Sequence, residues 1–215
     1  MSTLRKKQAV AITGLLMILF LCAHLAGNLL IYVGPEALNN YADYLSKLLY
    51  GSAIWISRIL LLTFVSVHIF FTLRLKLSNL QARKPSYKGG LKNHTDFNTL
   101  ALKTMPITGT IILVYLIVHL MDFTLAEKVG IINGVDYGLY GLVVNTLRQP
   151  YHAAFYIIAM LAIGMHLAHA IQSLFQTFGL NNEVFLLRLK RFSYVISLIL
   201  SIGFAMIPIY IYFFV

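Results

Sequence analysis

Five apolar stretches constrain what this chain can fold into more than any other feature of its sequence. They cover about residues 9–33, 53–75, 105–125, 153–178 and 193–215. Each holds the roughly 20 residues that an α-helix needs to cross a ~30 Å hydrocarbon layer. We therefore predict an all-α fold: an integral membrane bundle of five transmembrane helices, forming a single membrane domain over residues 1–215.

The composition excludes soluble chemistry within this chain. Hydrophobic residues make up 59% of the sequence and charged residues 11%, which does not fit packing in water. The connections between the apolar stretches are too short for a soluble catalytic domain, and no glycine-rich nucleotide loop follows a strand pattern. The single cysteine, Cys22, excludes an internal disulfide and an iron–sulfur cluster. No internal repeat is evident, and any reaction in water is expected to belong to a partner protein.

The basic residues predict the orientation of the chain. Placing the N-terminus in the cytoplasm puts 13 of the 17 lysines and arginines on that side, as the positive-inside rule requires. The C-terminus is then outside. Membrane topology and contact with anionic lipid explain the formal charge of +10 without nucleic acid, and docking of a cytoplasmic subunit is the alternative explanation.

Short segments between the spans predict further features. Polar and aromatic residues alternate after the first span, which suits a helix at the membrane interface over residues 36–52. A long basic loop follows the second span and contains His94, which we expect at the surface. A second outer segment at 127–149 ends at Pro150, a residue suited to the first turn of a helix, and His152 beside it is also expected at the surface.

Four of the seven histidines lie well inside apolar spans, one on each of four helices. An α-helix rises about 1.5 Å per residue, so counting from the cytoplasmic ends places His24 and His119 together in the outer half of the bilayer. The same count places His68 and His166 in the inner half. Two histidines at one level can hold one iron from both axial sides. The spacing therefore predicts an outer pair and an inner pair of metal ligands, stacked across the membrane.

Other roles for these histidines stay open on the spacing alone. They can be helix-packing residues or members of a proton relay. Gly27 and Gly164, close in sequence to His24 and His166, are expected to leave room for a flat porphyrin. His169 is three residues beyond His166, and it could replace that ligand, contact a haem propionate or simply pack.

Polar residues near the outer end of the first span are candidates for a second site. Asn28 and Tyr32 follow His24 at intervals of four residues, which places all three on one helix face. Glu36 and Asp43 lie just beyond. These four side chains are candidate contacts for a quinone or for haem propionates, and hydration in a loop is the alternative.

Several motifs give the whole chain a family resemblance. They are His24-Leu25-Ala26-Gly27-Asn28-Leu29, Leu38-Asn39-Asn40-Tyr41-Ala42, His166-Leu167-Ala168-His169-Ala170, and the run from Ser173 to Leu180, with single histidines at His68 and His119. The chain thereby resembles the dihaem cytochrome b membrane-anchor subunit of succinate:quinone oxidoreductases, the family that includes succinate dehydrogenase and fumarate reductase. Some members carry a glutamate proton relay two residues before the fourth ligand, where this chain has Gly164.

The resemblance implies a cofactor set and partners. It implies two haem b groups, an outer one held by His24 and His119 and an inner one held by His68 and His166. Electrons would pass between a cytoplasmic iron–sulfur subunit, docked near Lys103 and Arg188, and a membrane quinone, either menaquinone or ubiquinone. A flavoprotein subunit carrying FAD would hold the dicarboxylate active site, so this chain would be a subunit of the enzyme without catalytic residues of its own. The expected location is a cytoplasmic membrane of bacterial type.

Two other functions fit the same histidines. A stand-alone transmembrane cytochrome b electron carrier would keep the haems and need no cytoplasmic subunits. A transporter or proton channel using the histidines as relays would bind no haem. The haem content of the purified protein distinguishes the transporter or proton channel from the stand-alone cytochrome b.

Overall fold

The computed structural model describes residues 2–82, 97–180 and 183–215. The predicted basic loop with His94 lies largely outside these ranges. Seven α-helices account for most of the described residues: α1 (Thr3–Asn28), α2 (Pro35–Lys47), α3 (Ser52–Ala82), α4 (Phe97–Leu120), α5 (Gly138–Leu147), α6 (Pro150–Thr177) and α7 (Glu183–Phe214).

Five of these helices are long and apolar enough to cross a membrane, namely α1, α3, α4, α6 and α7. The prediction of an all-α chain is thereby confirmed in its main feature, and the long apolar helices indicate a multi-pass membrane protein. The helices are longer at their basic ends than the apolar pattern indicates. α1 begins at Thr3, α3 continues to Ala82 and α7 begins at Glu183, because lysine and arginine are good helix formers whose long side chains reach the interface.

The all-α prediction is wrong in one detail, a short β-hairpin between α4 and α5. Its strands, β1 (Ile131–Ile132) and β2 (Val135–Asp136), are antiparallel. The turn residues Asn133 and Gly134 have φ values of 52° and 83°, and this residue pair favours a tight hairpin turn. The Asp136 Oδ1 atom accepts hydrogen bonds from the backbone N–H groups of Gly138 (2.8 Å) and Gly130 (2.9 Å). These two bonds hold the pKa of Asp136 below its ordinary value.

Helix α2 confirms a helix within the predicted interfacial segment, and its Asn39 ties α2 to α5. The Asn39 Nδ2 atom donates to the carbonyl oxygen of Tyr137 at 2.8 Å, and its Oδ1 atom accepts from the backbone N–H of Tyr140 at 3.1 Å. Both bonds satisfy backbone groups at the start of α5, which has no capping side chain of its own. Asn39 therefore acts as the cap of a helix about 100 residues away in sequence.

Replacing Asn39 by alanine is expected to destabilise this end of the molecule. The substitution removes two hydrogen bonds from partly buried groups, at a cost of about 1–3 kcal/mol in the free energy of unfolding. Chemical unfolding in detergent measures the change. Asn40→Ala is the matched control, because the neighbouring Asn40 is exposed, and equal losses in the two variants would contradict the capping role.

The long helices form two antiparallel pairs. α4 and α6 are antiparallel, because Thr108 and Tyr115 of α4 contact His166 and Tyr156 of α6 in reverse order. α1 and α3 are antiparallel, because Thr13 contacts His68 and α3 begins shortly after α2, whose Tyr41 lies beside Gly27 at the end of α1. In contrast, α1 and α7 run parallel, since contacts advance from His24 and Phe204 to Tyr32 and Tyr210. The basic ends of α1, α3 and α7 therefore lie at one end of the bundle.

Helix α7 packs closely against α6, whereas α3 contacts α1 and has no fully buried residue in its most apolar part. The Ser201 hydroxyl of α7 donates to the carbonyl oxygen of Met160 at 2.8 Å. A Cβ atom added at Gly164 would lie 2.8 Å from the Ser201 side chain, so this glycine permits the close approach. In the most apolar part of α6 and of α7, 39% of residues are buried, against none in the segment that contains α3. One flank of the bundle is thus left to lipid.

Candidate functional site

The four intramembrane histidines lie on four different long helices and are all partly buried. His24 is near the end of α1 and His119 is near the end of α4. His68 and His166 are in the second halves of α3 and α6. In the structure His24 of α1 lies beside His119 of α4, and His68 of α3 lies within electrostatic range of His166 of α6.

The outer pair is in direct contact. The ring centroids of His24 and His119 are 5.9 Å apart, and the two ring planes are nearly perpendicular at 86°. Metal–imidazole bonds are about 2 Å long, so two imidazoles on opposite sides of one iron have centroids roughly 6 Å apart. The spacing of His24 and His119 therefore suits a shared metal ion, with a small adjustment of either side chain.

Aromatic rings enclose the outer pair. Phe20 stacks on the face of His24 at 5.2 Å and 15°, and Phe123 approaches His119 edge-on at 5.3 Å. The Tyr115 hydroxyl lies 3.4 Å from the Nδ1 atom of His119. Stacking occupies the face of an imidazole and leaves the in-plane lone pair of its unprotonated nitrogen available for a ligand. The rings thus shield the faces of the imidazoles without covering their nitrogen atoms.

The inner pair is held by two threonines. The Nδ1 atom of His68 lies 3.2 Å from Thr13 Oγ1 and 3.2 Å from the carbonyl oxygen of Val10. The Nδ1 atom of His166 lies 3.2 Å from Thr108 Oγ1. His68 and His166 are also close enough to interact electrostatically. In both residues the Nδ1 atom has an oxygen partner, so Nε2 is the ring nitrogen left available for a ligand.

A glycine follows each of these threonines and faces the same ring. A Cβ atom added at Gly14 would lie 3.5 Å from Cε1 of His68, and one added at Gly109 would lie 3.6 Å from Cε1 of His166. The threonine bonds the histidine, and the glycine beside it provides room for the imidazole. Neither threonine nor glycine is among the predicted site residues.

These contacts expose an internal repeat, so the expectation of no repeat is wrong. Ile12-Thr13-Gly14 on α1 recurs as Ile107-Thr108-Gly109 on α4, and in both helices a His-Leu pair begins eleven residues after the threonine. Eleven residues of helix span roughly 16 Å. The inner pair, level with the threonines, therefore lies about that far from the outer pair along the bundle axis.

Gly27 and Gly164, which were expected to leave room for a porphyrin, both face other helices. A Cβ atom added at Gly27 would collide with the ring of Tyr41 on α2, and Gly164 faces Ser201 of α7. Both glycines serve contacts between helices, because each lies on a helix face turned toward another element. That Gly27 and Gly164 also leave space for a porphyrin stays a prediction.

His169 and His152 are two further histidines in the described part of the chain. His169 is partly buried and lies within electrostatic range of His166 and of Lys190 on α7, whereas the Nδ1 atom of His166 lies 3.2 Å from Thr108. His152 is only partly exposed, and its Nε2 atom is 3.7 Å from Asp122 Oδ1. The geometry thus favours His166 over His169 as a member of the inner pair.

The candidate quinone residues have separate partners. The Asn28 Nδ2 atom donates to the carbonyl oxygen of His24 at 2.7 Å, and the Tyr32 ring packs on Tyr210 with 4.8 Å between centroids. Glu36 is exposed in the first turn of α2. Asp43 is also exposed, and it forms an ion pair with Lys47, the residue one turn further along the helix, at 3.2 Å.

A second polar cluster near the outer pair was not predicted. The Tyr156 hydroxyl donates to Asp122 Oδ2 at 2.8 Å, and only 16% of the Asp122 side chain is exposed. The Tyr156 ring lies 6.1 Å from that of His119. In the sequence, the signal for this cluster is Asp122, a carboxylate at the end of an otherwise apolar span.

Comparison of the chain with protein-family models, with curated proteins and with solved structures found no match.

Proposed function

We propose that this chain is the membrane-anchoring dihaem cytochrome b subunit of a succinate:quinone oxidoreductase. The observation that carries the proposal is the meeting of four histidines, from four membrane-length helices, as two pairs. Isolated histidines in apolar helices are costly, and two depth-separated pairs suit two low-spin haems. The motifs at His24, Asn39 and His166 supply the link to this particular family.

The residues present fit haem b on two counts. The outer rings have a spacing suited to axial ligation of one iron. The Nδ1 atoms of His68, His119 and His166 have oxygen partners, which is usual for histidines that bind a metal through Nε2. A bound haem supplies reversible one-electron chemistry at its iron.

The chain's own residues would perform three tasks in electron transfer. The four imidazoles would hold and orient the two groups, from levels of the bundle that are roughly 16 Å apart. Thr13, Thr108 and Tyr115 hold the rings in place through Nδ1. Phe20 and Phe123 keep water from the outer pair.

The orientation in the proposal rests on the charges, and the partners rest on the family resemblance. Arg5 and Lys7 on α1 and Arg188 and Arg191 on α7 are exposed at one end of the bundle, where they suit a cytoplasmic iron–sulfur subunit and anionic lipid. In this proposal the flavoprotein subunit binds behind that subunit and carries out the dicarboxylate chemistry. The membrane is a cytoplasmic membrane of bacterial type, with the N-terminus inside and the C-terminus outside.

The quinone is proposed to react near the outer haem. Asp122 and Tyr156, next to His119, join Asn28, Tyr32, Glu36 and Asp43 as candidates for its polar contacts. The proposal includes menaquinone and ubiquinone alike.

The experiment that tests the proposal is purification of the chain in mild detergent from its native membrane. We expect about two haem b per chain by pyridine haemochrome spectroscopy, together with co-purifying flavin and iron–sulfur protein that reduce the haems when succinate is added. Two haems without flavin would indicate a stand-alone cytochrome b. No Soret absorption after haem-replete growth would favour the relay or transporter.

A further inference from the structure

We infer that Thr108 and Thr13 are positioning residues that set the tautomer and the reduction potential of the inner pair. The inference rests on the proposed function and deepens it. It assigns a role to the two Ile-Thr-Gly repeats, which lie eleven residues from the predicted ligands on their own helices and contact ligands on neighbouring helices.

Each threonine hydroxyl has two carbonyl acceptors for its hydrogen on its own helix. Thr108 Oγ1 lies 3.1 Å from the carbonyl oxygens of both Thr104 and Met105. A hydroxyl has one hydrogen and two acceptor lone pairs, so when it donates to its own helix it can only accept from the histidine. His166 must then carry its proton on Nδ1, and the lone pair is left on Nε2.

The same reasoning applies to Thr13 on α1. Its Oγ1 atom is 2.8 Å from the carbonyl oxygen of Ala9 and 3.2 Å from that of Val10. The carbonyl of Val10, which can only accept, also lies 3.2 Å from Nδ1 of His68. His68 is therefore protonated on Nδ1 for two reasons, and both inner imidazoles present Nε2 as the free nitrogen.

The two histidines differ in how firmly this state is held. Within the described residues, the Nδ1 atom of His166 has one hydrogen-bond partner, Thr108. His68 has Thr13 and the Val10 carbonyl. Loss of the Thr108 hydroxyl thus leaves a partly buried N–H without its acceptor, whereas loss of the Thr13 hydroxyl leaves Val10 in place.

The hydroxyls affect the iron through the ligand. Donation from Nδ1–H makes an imidazole more basic, and a more basic ligand stabilises ferric iron over ferrous iron. Removing the acceptor is therefore expected to raise the reduction potential of the inner haem. A tenfold change in the ferric-to-ferrous ratio corresponds to about 59 mV for a one-electron couple.

The experiment is potentiometric titration of both haems, with electron paramagnetic resonance of the oxidised state, in the complete complex. We expect Thr108→Val to raise one midpoint potential by about 59 mV, which corresponds to a tenfold change in the ferric-to-ferrous ratio. The g values of that haem should shift, and the other haem should be unchanged. Thr13→Val is expected to act on the same haem in the same direction but less.

Matched controls separate the contact from the loss of a hydroxyl. Thr110 on α4 and Thr63 on α3 make the same bond to the carbonyl four residues earlier, at 2.9 Å and 2.8 Å, but both are exposed. Thr110→Val and Thr63→Val are expected to leave both potentials at the wild-type value. A shift in Thr108→Val no larger than in Thr110→Val would overturn the inference.

A conservative variant covers the case in which Thr108→Val loses the inner haem. Thr108→Ser keeps the hydroxyl and is expected to retain two haems with wild-type potentials. Loss of haem in the serine variant would show that the hydroxyl is not the determinant. Absence of haem from the wild type would instead overturn the proposed function, so haem content distinguishes the two failures.

Discussion

Replacing His68 or His166 by alanine is expected to abolish one of two haem signals and to leave the other at full intensity. Replacing His24 or His119 is expected to abolish the other signal. In the proposed function each haem would be held by two imidazoles from different helices, so one remaining ligand would not maintain the low-spin state. The measurement is the reduced-minus-oxidised spectrum at low temperature, with haem quantified per chain.

His152→Ala is the control for removal of a histidine from the same bundle. His152 contacts Asp122 rather than another histidine, and both haem signals are expected to survive its loss. His169→Ala should also retain both. Loss of the same component from His24→Ala and His68→Ala would contradict the division into an outer and an inner pair.

Filling the space beside an inner histidine is expected to be nearly as damaging as removing it. Gly109 has room for one methyl group, because a Cβ atom there would lie 3.6 Å from Cε1 of His166. The larger side chain of leucine would displace the imidazole. We therefore expect Gly109→Leu to lose the inner haem and keep the outer one, as measured by haem content per folded chain.

Two variants bracket this result. Gly109→Ala is expected to keep both haems, and it replaces glycine in a helix with a residue of higher helix propensity. Thr110→Leu adds bulk at the next position, which is exposed, and should also keep both. Equal haem loss in Gly109→Leu and Thr110→Leu would mean that bulk anywhere on this part of α4 is harmful.

Much of the fold is predictable from the sequence because the membrane imposes a simple length requirement. Residue counting also places His24 level with His119, and the structure has these two rings in contact. That either pair binds haem stays a prediction. The count works because all four spans are continuous helices with the same rise per residue.

The contacts around the histidines were harder to predict, for physical reasons. A threonine in an apolar helix commonly bonds its own backbone, so Thr13 and Thr108 have an ordinary explanation until the neighbouring helix is known. The contact of Gly27 with Tyr41 was not predicted, because sequence proximity to His24 does not specify which helix face Gly27 occupies. The hairpin was overlooked although Asn133-Gly134 between apolar residues is a strong turn signal.

The exposed side chains of α3 have a consequence for which substitutions this helix can tolerate. Side chains such as Leu62 and Leu73 are exposed, and lipid tails accept any apolar shape. Most positions on α3 are therefore expected to tolerate replacement by other aliphatic residues, leaving His68 as the position where identity matters most. The joint between α6 and α7 offers no such freedom, because Gly164 and Ser201 meet there at close range. In α3 the apolar character of a side chain is thus expected to matter more than its shape, whereas in α6 and α7 the shape matters as well.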